Sequence, residues 1–382
     1  MKKIIAFILW SLIYASASSQ YGVRINLISM PTAIKTDSVF IAGSFNNWSP
    51  NDAQAQFIKD KNNNFYLDFS DVDAGSYEFK FTRGSWQKAE CTKDGNDIEN
   101  RSAKISSDTV LNFSVEAWKD QFAEKVKTHT ASKNVMIVDT AFYIPQLKRY
   151  RRIWAYLPAD YKISDRRYPV LYMQDGQNLF DEYTAPYGEW GIDEVLDTLS
   201  KKTNCLVIGV DNGADKRMGE YNPYDFNNPD NSKDKIIKGE GDAYVDFLSK
   251  TLKPYIDKKF RTLPNGCHTF IAGSSMGGLI SLYAILKYPK VFGGAGVFSP
   301  AFWTATQLEQ DIKKMSLHIN GKIYFYAGGD ESKTMVSDMQ HICELLRANP
   351  KIKIEVQVTA DGKHNEANWR REFPKFYRWM IE

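Results

Sequence analysis

The stretch Phe270-Ile271-Ala272-Gly273-Ser274-Ser275-Met276-Gly277-Gly278-Leu279-Ile280 limits what this chain can fold into more than any other. An apolar, partly β-branched run enters Gly-x-Ser-x-Gly, and an apolar run with helical spacing leaves it. That pattern predicts a buried strand, a sharp elbow and a helix. The glycines at 273 and 277 remove Cβ atoms that would block a tight turn and its close packing. Ser275 then stands at the tip, at the carboxyl edge of a sheet. The backbone N–H of Met276, at the helix start, can point at a developing oxyanion. Strands and helical patterns alternate on both sides of this unit, which predicts a doubly wound, mostly parallel sheet.

A serine at such an elbow needs an acid and a histidine, in that chain order. Of the five histidines, His129 and His268 precede Ser275. His318 lies ahead of a strand, and His341 falls inside a helical pattern from Met335 to Leu346. His364 follows the alternating run Ile352 to Val358 and the turn Asp361-Gly362, on a loop at a strand's end, where a general base belongs. The acid is expected after the strand Lys322 to Ala327, in Gly328-Gly329-Asp330-Glu331-Ser332. By position, either Asp330 or Glu331 can hold the imidazole. A second oxyanion donor is expected after the strand Tyr168 to Met173. There Gly176, in Gln174-Asp175-Gly176-Gln177-Asn178, is expected to let the backbone turn the Gln177 N–H toward the site.

These pieces carry a resemblance. Residues 133–382 resemble the putative-esterase (esterase D-like) family of α/β-hydrolases. The matching residues are Asp175 to Phe180, Lys253 to Asp257, Gly273 to Gly278, Gly328 to Ser332 and His364-Asn365-Glu366. That family includes feruloyl and acetyl esterases of plant-polysaccharide breakdown, siderophore-lactone esterases and mycolyltransferases. The resemblance implies Ser275 as nucleophile, His364 as base, and Gln177 and Met276 as oxyanion donors. It favours Glu331 over Asp330 as the acid. Chemistry of this kind needs no metal and no organic cofactor.

At 382 residues the chain is long enough for two domains. A net charge of +3 without a basic stripe implies no nucleic-acid partner. Residues 1–19 read as a signal peptide, with Lys2-Lys3, an apolar run from Ile4 to Ile13, and Ala15-Ser16-Ala17. The run is too short to span a membrane, so the mature protein is expected in the periplasm or outside the cell. Cys91, Cys205, Cys267 and Cys343 are scattered, which points away from a metal framework. Cys205 and Cys267 each open an expected buried strand, and a single disulfide is compatible with export.

Residues 20–116 read as short strands separated by turns, and an all-β sandwich is expected. Val39 to Trp48, Tyr77 to Phe81 and Trp86 resemble an early-set immunoglobulin-like module of the glycogen/starch-binding type. The resemblance implies Trp48, Trp86 and Lys80 as carbohydrate contacts. Residues 117–132, polar and without a strand pattern, read as a linker to the hydrolase domain at 133–382.

Asp211 to Gly241 is a long Asn/Asp/Gly/Pro-rich insert after a strand's carboxyl end, so it should border the active site. Arg217, Glu220, Tyr221 and Tyr224 are candidate substrate contacts there. Trp303, after Phe302, offers an apolar wall. The expected function is an exported serine carboxylic-ester hydrolase acting on acylated carbohydrate, of feruloyl- or acetyl-ester type. The alternatives are a siderophore-lactone (catecholate trilactone) esterase, acyl transfer to a sugar, and a non-catalytic glycan-binding protein.

Overall fold

The computed structural model describes residues 20–31, 38–46, 48–123, 127–199, 204–227 and 236–381. The expected signal peptide lies outside the described residues. Among those residues no helix is long and apolar enough to cross a membrane. The chain divides into two units at Val126 and Lys127.

Alternation of apolar and polar residues builds the first unit. Strand β1 (Gln20–Ser29) turns Val23, Ile25 and Leu27 inward. The other strands are β2 (Phe40–Gly43), β3 (Ile58–Lys59), β4 (Phe65–Asp73), β5 (Gly75–Thr82), β6 (Glu90–Cys91), β7 (Arg101–Ile105), β8 (Thr109–Ser114) and β9 (Ala117–Trp118). One sheet runs β3-β4-β1-β8 and another runs β2-β5-β7. The two share one core that includes Ile25, Ile41, Phe79, Phe81, Ile105 and Trp118. Arg101-Ser102-Ala103-Lys104-Ile105, polar in composition, forms an edge strand that pairs with β5. The expected linker starts too early: β9 pairs with β6, and Trp118 is fully buried.

The large sheet of the second unit takes eight strands: β10 (Val135–Ile144), β11 (Arg149–Tyr156), β12 (Val170–Gln174), β13 (Leu206–Val210), β16 (Thr269–Ser274), β17 (Gly294–Phe298), β18 (Gly321–Gly328) and β19 (Ile352–Thr359). Two short strands in the insert, β14 (Phe226–Asn227) and β15 (Ile236–Ile237), pair with each other. The large sheet runs β10-β11-β13-β12-β16-β17-β18-β19. The hairpin β10–β11 and its junction with β13 are antiparallel, and the rest is parallel. Every residue of β12, β13, β16 and β17 is buried, as parallel strands covered on both faces require.

Helices cover both faces. They are α1 (Ile192–Thr198), α2 (Arg217–Glu220), α3 (Gly241–Phe247), α4 (Lys253–Lys259), α5 (Met276–Lys287), α6 (Leu308–Met315), α7 (Met335–Arg347) and α8 (Glu366–Ile381). A π-turn, Leu248–Leu252, joins α3 to α4. One apolar cluster gathers residues of α3, α4, α5, α6 and α7, and a second gathers those of α1 and α8. Helix α5 is apolar all round and buried from Met276 to Leu286, so the elbow sits on a rigid central element. Cys205 is buried as expected. Cys267 is exposed, because a 3₁₀ turn (Gly266–His268) precedes β16 and carries it outward. All four cysteines are free thiols.

Candidate active site

Ser275 links β16 to α5 with φ 58° and ψ −121°. A side chain in that backbone region costs about 1–3 kcal/mol, so the surroundings must impose it. They do so through β17 and the loop after it. The Ser275 N–H donates to the Phe298 carbonyl (2.9 Å), and the Ala301 N–H donates to the Ser275 carbonyl (3.1 Å). A Cβ on Gly273 would lie 2.8 Å from the backbone of Gly277, so glycine at 273 is what lets strand and helix meet. Ser275 is partly exposed. Met276 opens α5, and a first-turn N–H has no acceptor within its own helix.

His364 stands on the loop between β19 and α8. Its Nδ1 lies 2.8 Å from Glu331 Oε2. The Glu331 side chain is 1% exposed, that of His364 38%. The other carboxylate oxygen of Glu331 accepts two hydrogen bonds, from the Gly328 N–H (2.6 Å) and the Ser299 hydroxyl (2.6 Å). Ser299 Oγ in turn accepts from Trp369 Nε1 (2.8 Å), which leaves its proton for Glu331. Trp369 also meets the His364 ring edge-on, with centroids 5.2 Å apart. An ionised Glu331 only accepts, so Nδ1 carries the imidazole proton and Nε2 is left with its lone pair. Asp330 is exposed, and its backbone N–H donates to the Gly362 carbonyl (3.0 Å), tying two strand-end loops together.

The loop after β12 turns at Asp175, which adopts the left-handed conformation with φ 55° and ψ 50°. The turning residue is therefore Asp175 and not Gly176, as expected from sequence. Gly176 is needed for approach: a Cβ there would lie 2.9 Å from the backbone of Val210 and Asp211. Two side chains hold the Asp175 carboxylate. Arg217 grips it through Nε (2.6 Å) and Nη2 (2.8 Å), and Asn212 Nδ2 donates at 2.7 Å. The Asp175 N–H donates to the Tyr221 hydroxyl (3.3 Å). Gln177 is partly exposed, and its carbonyl accepts from Thr184 Oγ1 (2.7 Å).

These contacts correct the reading of the insert. Arg217 is spent on Asp175, although burial opposes its charge; the neighbouring carboxylate more than offsets that and raises its pKa. Tyr221 is fully buried beneath the loop and cannot meet a substrate. Glu220 is fully buried and pairs with Arg149 (2.7 Å) and Arg151. Tyr224 donates to Asp311 (2.6 Å). The polar residues of the insert hold it to the sheet edge. Trp303, 49% exposed, is the candidate left facing solvent; it meets Phe226 of the insert edge-on. The turn that carries it packs on the elbow through Thr304 Oγ1 and Met276 Sδ (3.7 Å).

Sequence reasoning missed the supports. Ser299 and Trp369 orient Glu331, and neither has a spacing signature. A strap before β10 also went unseen. His129 Nδ1 meets Asp181 Oδ2 at 2.7 Å, Thr130 Oγ1 donates to Glu189 (2.9 Å), and the Ser132 N–H donates to Asp193 (2.6 Å). Burial pushes the Asp193 carboxyl up to about 7.

In the first unit, Trp48 and Trp86 form a pair with centroids 6.3 Å apart and planes tilted by 38°. Trp86 is 37% exposed, and Trp48 has a positive φ of 57°. Lys80 is half-buried; burial pulls its ammonium pKa down, and Asp97, Glu90 and Glu99 are its acidic neighbours.

Residues 144–380 match the family described as Putative esterase. The chain belongs to this family. This esterase is a carboxylic ester hydrolase. It is 26% identical to the uncharacterized protein YbbA of Bacillus subtilis (strain 168) over 202 residues, which is 50% of this chain and 73% of that protein. It is 28% identical over 232 residues to an endo-1,4-beta-xylanase/feruloyl esterase of Xylanibacter ruminicola, covering 59% of this chain and 29% of that protein. The structure of enterochelin esterase from Shigella flexneri superposes with a TM-score of 0.54 at 14% identity, covering 90% of this chain and 87% of that one. At that identity the likeness speaks for the α/β-hydrolase fold alone.

Proposed function

We propose that the esterase cleaves acylated carbohydrate through Ser275, His364 and Glu331. The observations that support this reading are the hydrogen-bonded line from Trp369 through Ser299 and Glu331 to His364 Nδ1, and the strained elbow at Ser275, whose N–H is held by Phe298, the residue before Ser299. In the reaction, Ser275 Oγ attacks the ester carbonyl carbon and His364 Nε2 takes its proton. The N–H groups of Met276 and Gln177 receive the oxyanion. His364 then gives that proton to the departing alcohol oxygen as the C–O bond breaks. Water, activated by the same nitrogen, releases the acid and restores Ser275.

The relative that carries a feruloyl esterase supports a feruloyl- or acetyl-ester substrate. A signal peptide at residues 1–19 and export belong to the same reading. So does an immunoglobulin-like first unit at residues 20–116 that meets glycan through Trp48 and Trp86, whose paired rings suit stacking on a sugar. A catecholate trilactone, being anionic with iron, would call for cations free to meet it. Arg217, Arg149 and Arg151 are each already paired with a carboxylate, which weighs against that substrate.

The test is a panel: an aryl acetate, feruloylated and acetylated xylan, and a catecholate trilactone, each with the native chain, Ser275→Ala, and Trp48→Ala combined with Trp86→Ala. The reading expects turnover of xylan esters above the trilactone and loss on the order of 10⁴-fold or more in Ser275→Ala. The double tryptophan variant should slow on insoluble xylan only. Preference for the trilactone sinks the substrate class, and an active Ser275→Ala sinks the mechanism.

A further inference from the structure

Glu366 is a buried titratable group near this site with no role in the mechanism above. It opens α8 and is 8% exposed. Its Oε1 accepts a hydrogen bond from Asn178 Nδ2 at 3.3 Å. Asn178 directly follows Gln177, and its own N–H closes the turn onto the Asp175 carbonyl (2.8 Å). Glu366 itself lies two residues after His364. One side chain therefore reaches from the loop of the base to the loop of the proposed oxyanion donor.

The charged groups facing Glu366 are Asp175, His364 and Arg217. Burial, joined by repulsion from Asp175, raises its carboxyl to about 7, against the pull of His364 and Arg217. A buried carboxyl at a helix start is costly where an apolar residue would pack as well. Acyl transfer supplies a reason to keep it. A base and an oxyanion donor on separate loops must hold one geometry, and a misplacement of about 1 Å can cost about 10²-fold in rate.

The geometry points to Glu366 as a positioning residue that ties the His364 loop to the Gln177 loop through Asn178 and whose charge biases the His364 imidazole. This inference rests on the roles proposed for Ser275 and His364. The carboxylate form of Glu366 attracts an imidazolium, so it favours the protonated base. Glutamine keeps an acceptor oxygen for Asn178 and removes that charge. Alanine removes both.

The experiment measures kcat and KM of the full-length protein on an aryl acetate from pH 5 to 9, with a melting curve for each variant. Glu366→Gln should keep kcat within about threefold at pH 8 and shift the acid limb of kcat/KM to lower pH. Glu366→Ala and Asn178→Ala should each lower kcat by about tenfold or more with KM nearly constant, and the double variant should fall no further than the worse single one. A purely packing role predicts lower melting temperatures, with kcat per folded molecule and the pH profile unchanged; that result overturns the inference. So does an acid limb that stays in place in Glu366→Gln. Ser275→Ala, measured alongside, separates the two levels: if it keeps turnover, the reading of the whole site has failed, not only that of Glu366.

Discussion

Replacing Glu331 by glutamine tests the site at its most constrained point. The Gly328 N–H and the Ser299 hydroxyl both donate to Glu331 Oε1, at 2.6 Å each. The amide of Gly328 has no choice of role, since a backbone N–H can only donate. Ser299 donates to the same oxygen while its own accepts from Trp369 Nε1. Glutamine at 331 must therefore keep its carbonyl oxygen toward Gly328 and turn its NH₂ toward His364 Nδ1. That forces Nδ1 to accept and moves the imidazole proton to Nε2, the nitrogen needed to take the Ser275 proton. The wrong tautomer, with no carboxylate to stabilise imidazolium, costs about 10⁴-fold in kcat in a comparable triad. That is about 5 kcal/mol of transition-state stabilisation. The fold should survive, because shape and the two buried acceptor bonds remain. Asp330→Asn should stay within about twofold, as an exposed side chain away from special features usually matters little. Stopped or continuous hydrolysis of an aryl acetate, with circular dichroism as the control, decides it. A Glu331→Gln protein that turns over faster than Asp330→Asn would refute the reasoning.

Two further outcomes follow from the buried acids of the second unit. The folded Asp193 carboxyl, held at about 7 by burial, binds its proton more tightly than an unfolded one near ~4. Its contribution to stability is thus largest near and below pH ~4 and is lost as pH rises through 7. Asp193→Asn should flatten the fall in melting temperature between pH 5 and pH 7; an unchanged slope would remove Asp193 as the cause. A chain beginning at Lys133 lacks the strap of His129, Thr130 and Ser132, which makes four hydrogen bonds to Asp181, Glu189 and Asp193. Hydrogen bonds to charged groups contribute about 1.5–3 kcal/mol each and less at the exposed His129, so losing them costs on the order of 5 kcal/mol. A chain beginning at Lys127 keeps them and should melt well above the shorter one, and equal melting temperatures would show that the strap adds nothing.

What could be read from the chain, and what could not, divides along physical lines. The places of Ser275 and Met276 between β16 and α5, and of His364 after β19, were legible because each is bound to a periodic element. The elbow lies between a β-branched run and a helical run, and His364 follows an alternating one, so position along the chain translates into position on the sheet. The choice between Asp330 and Glu331 was not legible from position. Neighbours on a loop point in directions set by the backbone, and the direction here is fixed by the Gly328 N–H and by Ser299, one strand away. Arg217 and Tyr221, expected to contact substrate, instead hold the Asp175 loop, Arg217 through its carboxylate and Tyr221 from a buried position beneath it. Loop composition places an insert beside a strand end, but a polar side chain there can equally serve the scaffold. Asp175, turned into a left-handed conformation, needs a partner for a nearly buried charge, and Arg217 is the group that reaches it.

The same reasoning explains why the polar shell is the least readable part of such a site. Trp369 to Ser299 spans 70 positions, and Asn178 to Glu366 spans 188. No local propensity couples residues so far apart, since their pairing exists only once the sheet brings β12, β17, β18 and β19 to one edge. A buried polar group left without its partner costs about 1–3 kcal/mol, so these distant pairs are strongly selected by the folded state even though nothing in their neighbourhoods announces them. The side chains proposed to perform the chemistry sit where periodic elements end. Those that aim them are chosen by satisfaction of buried donors and acceptors across the sheet, and only the folded chain shows which ones meet.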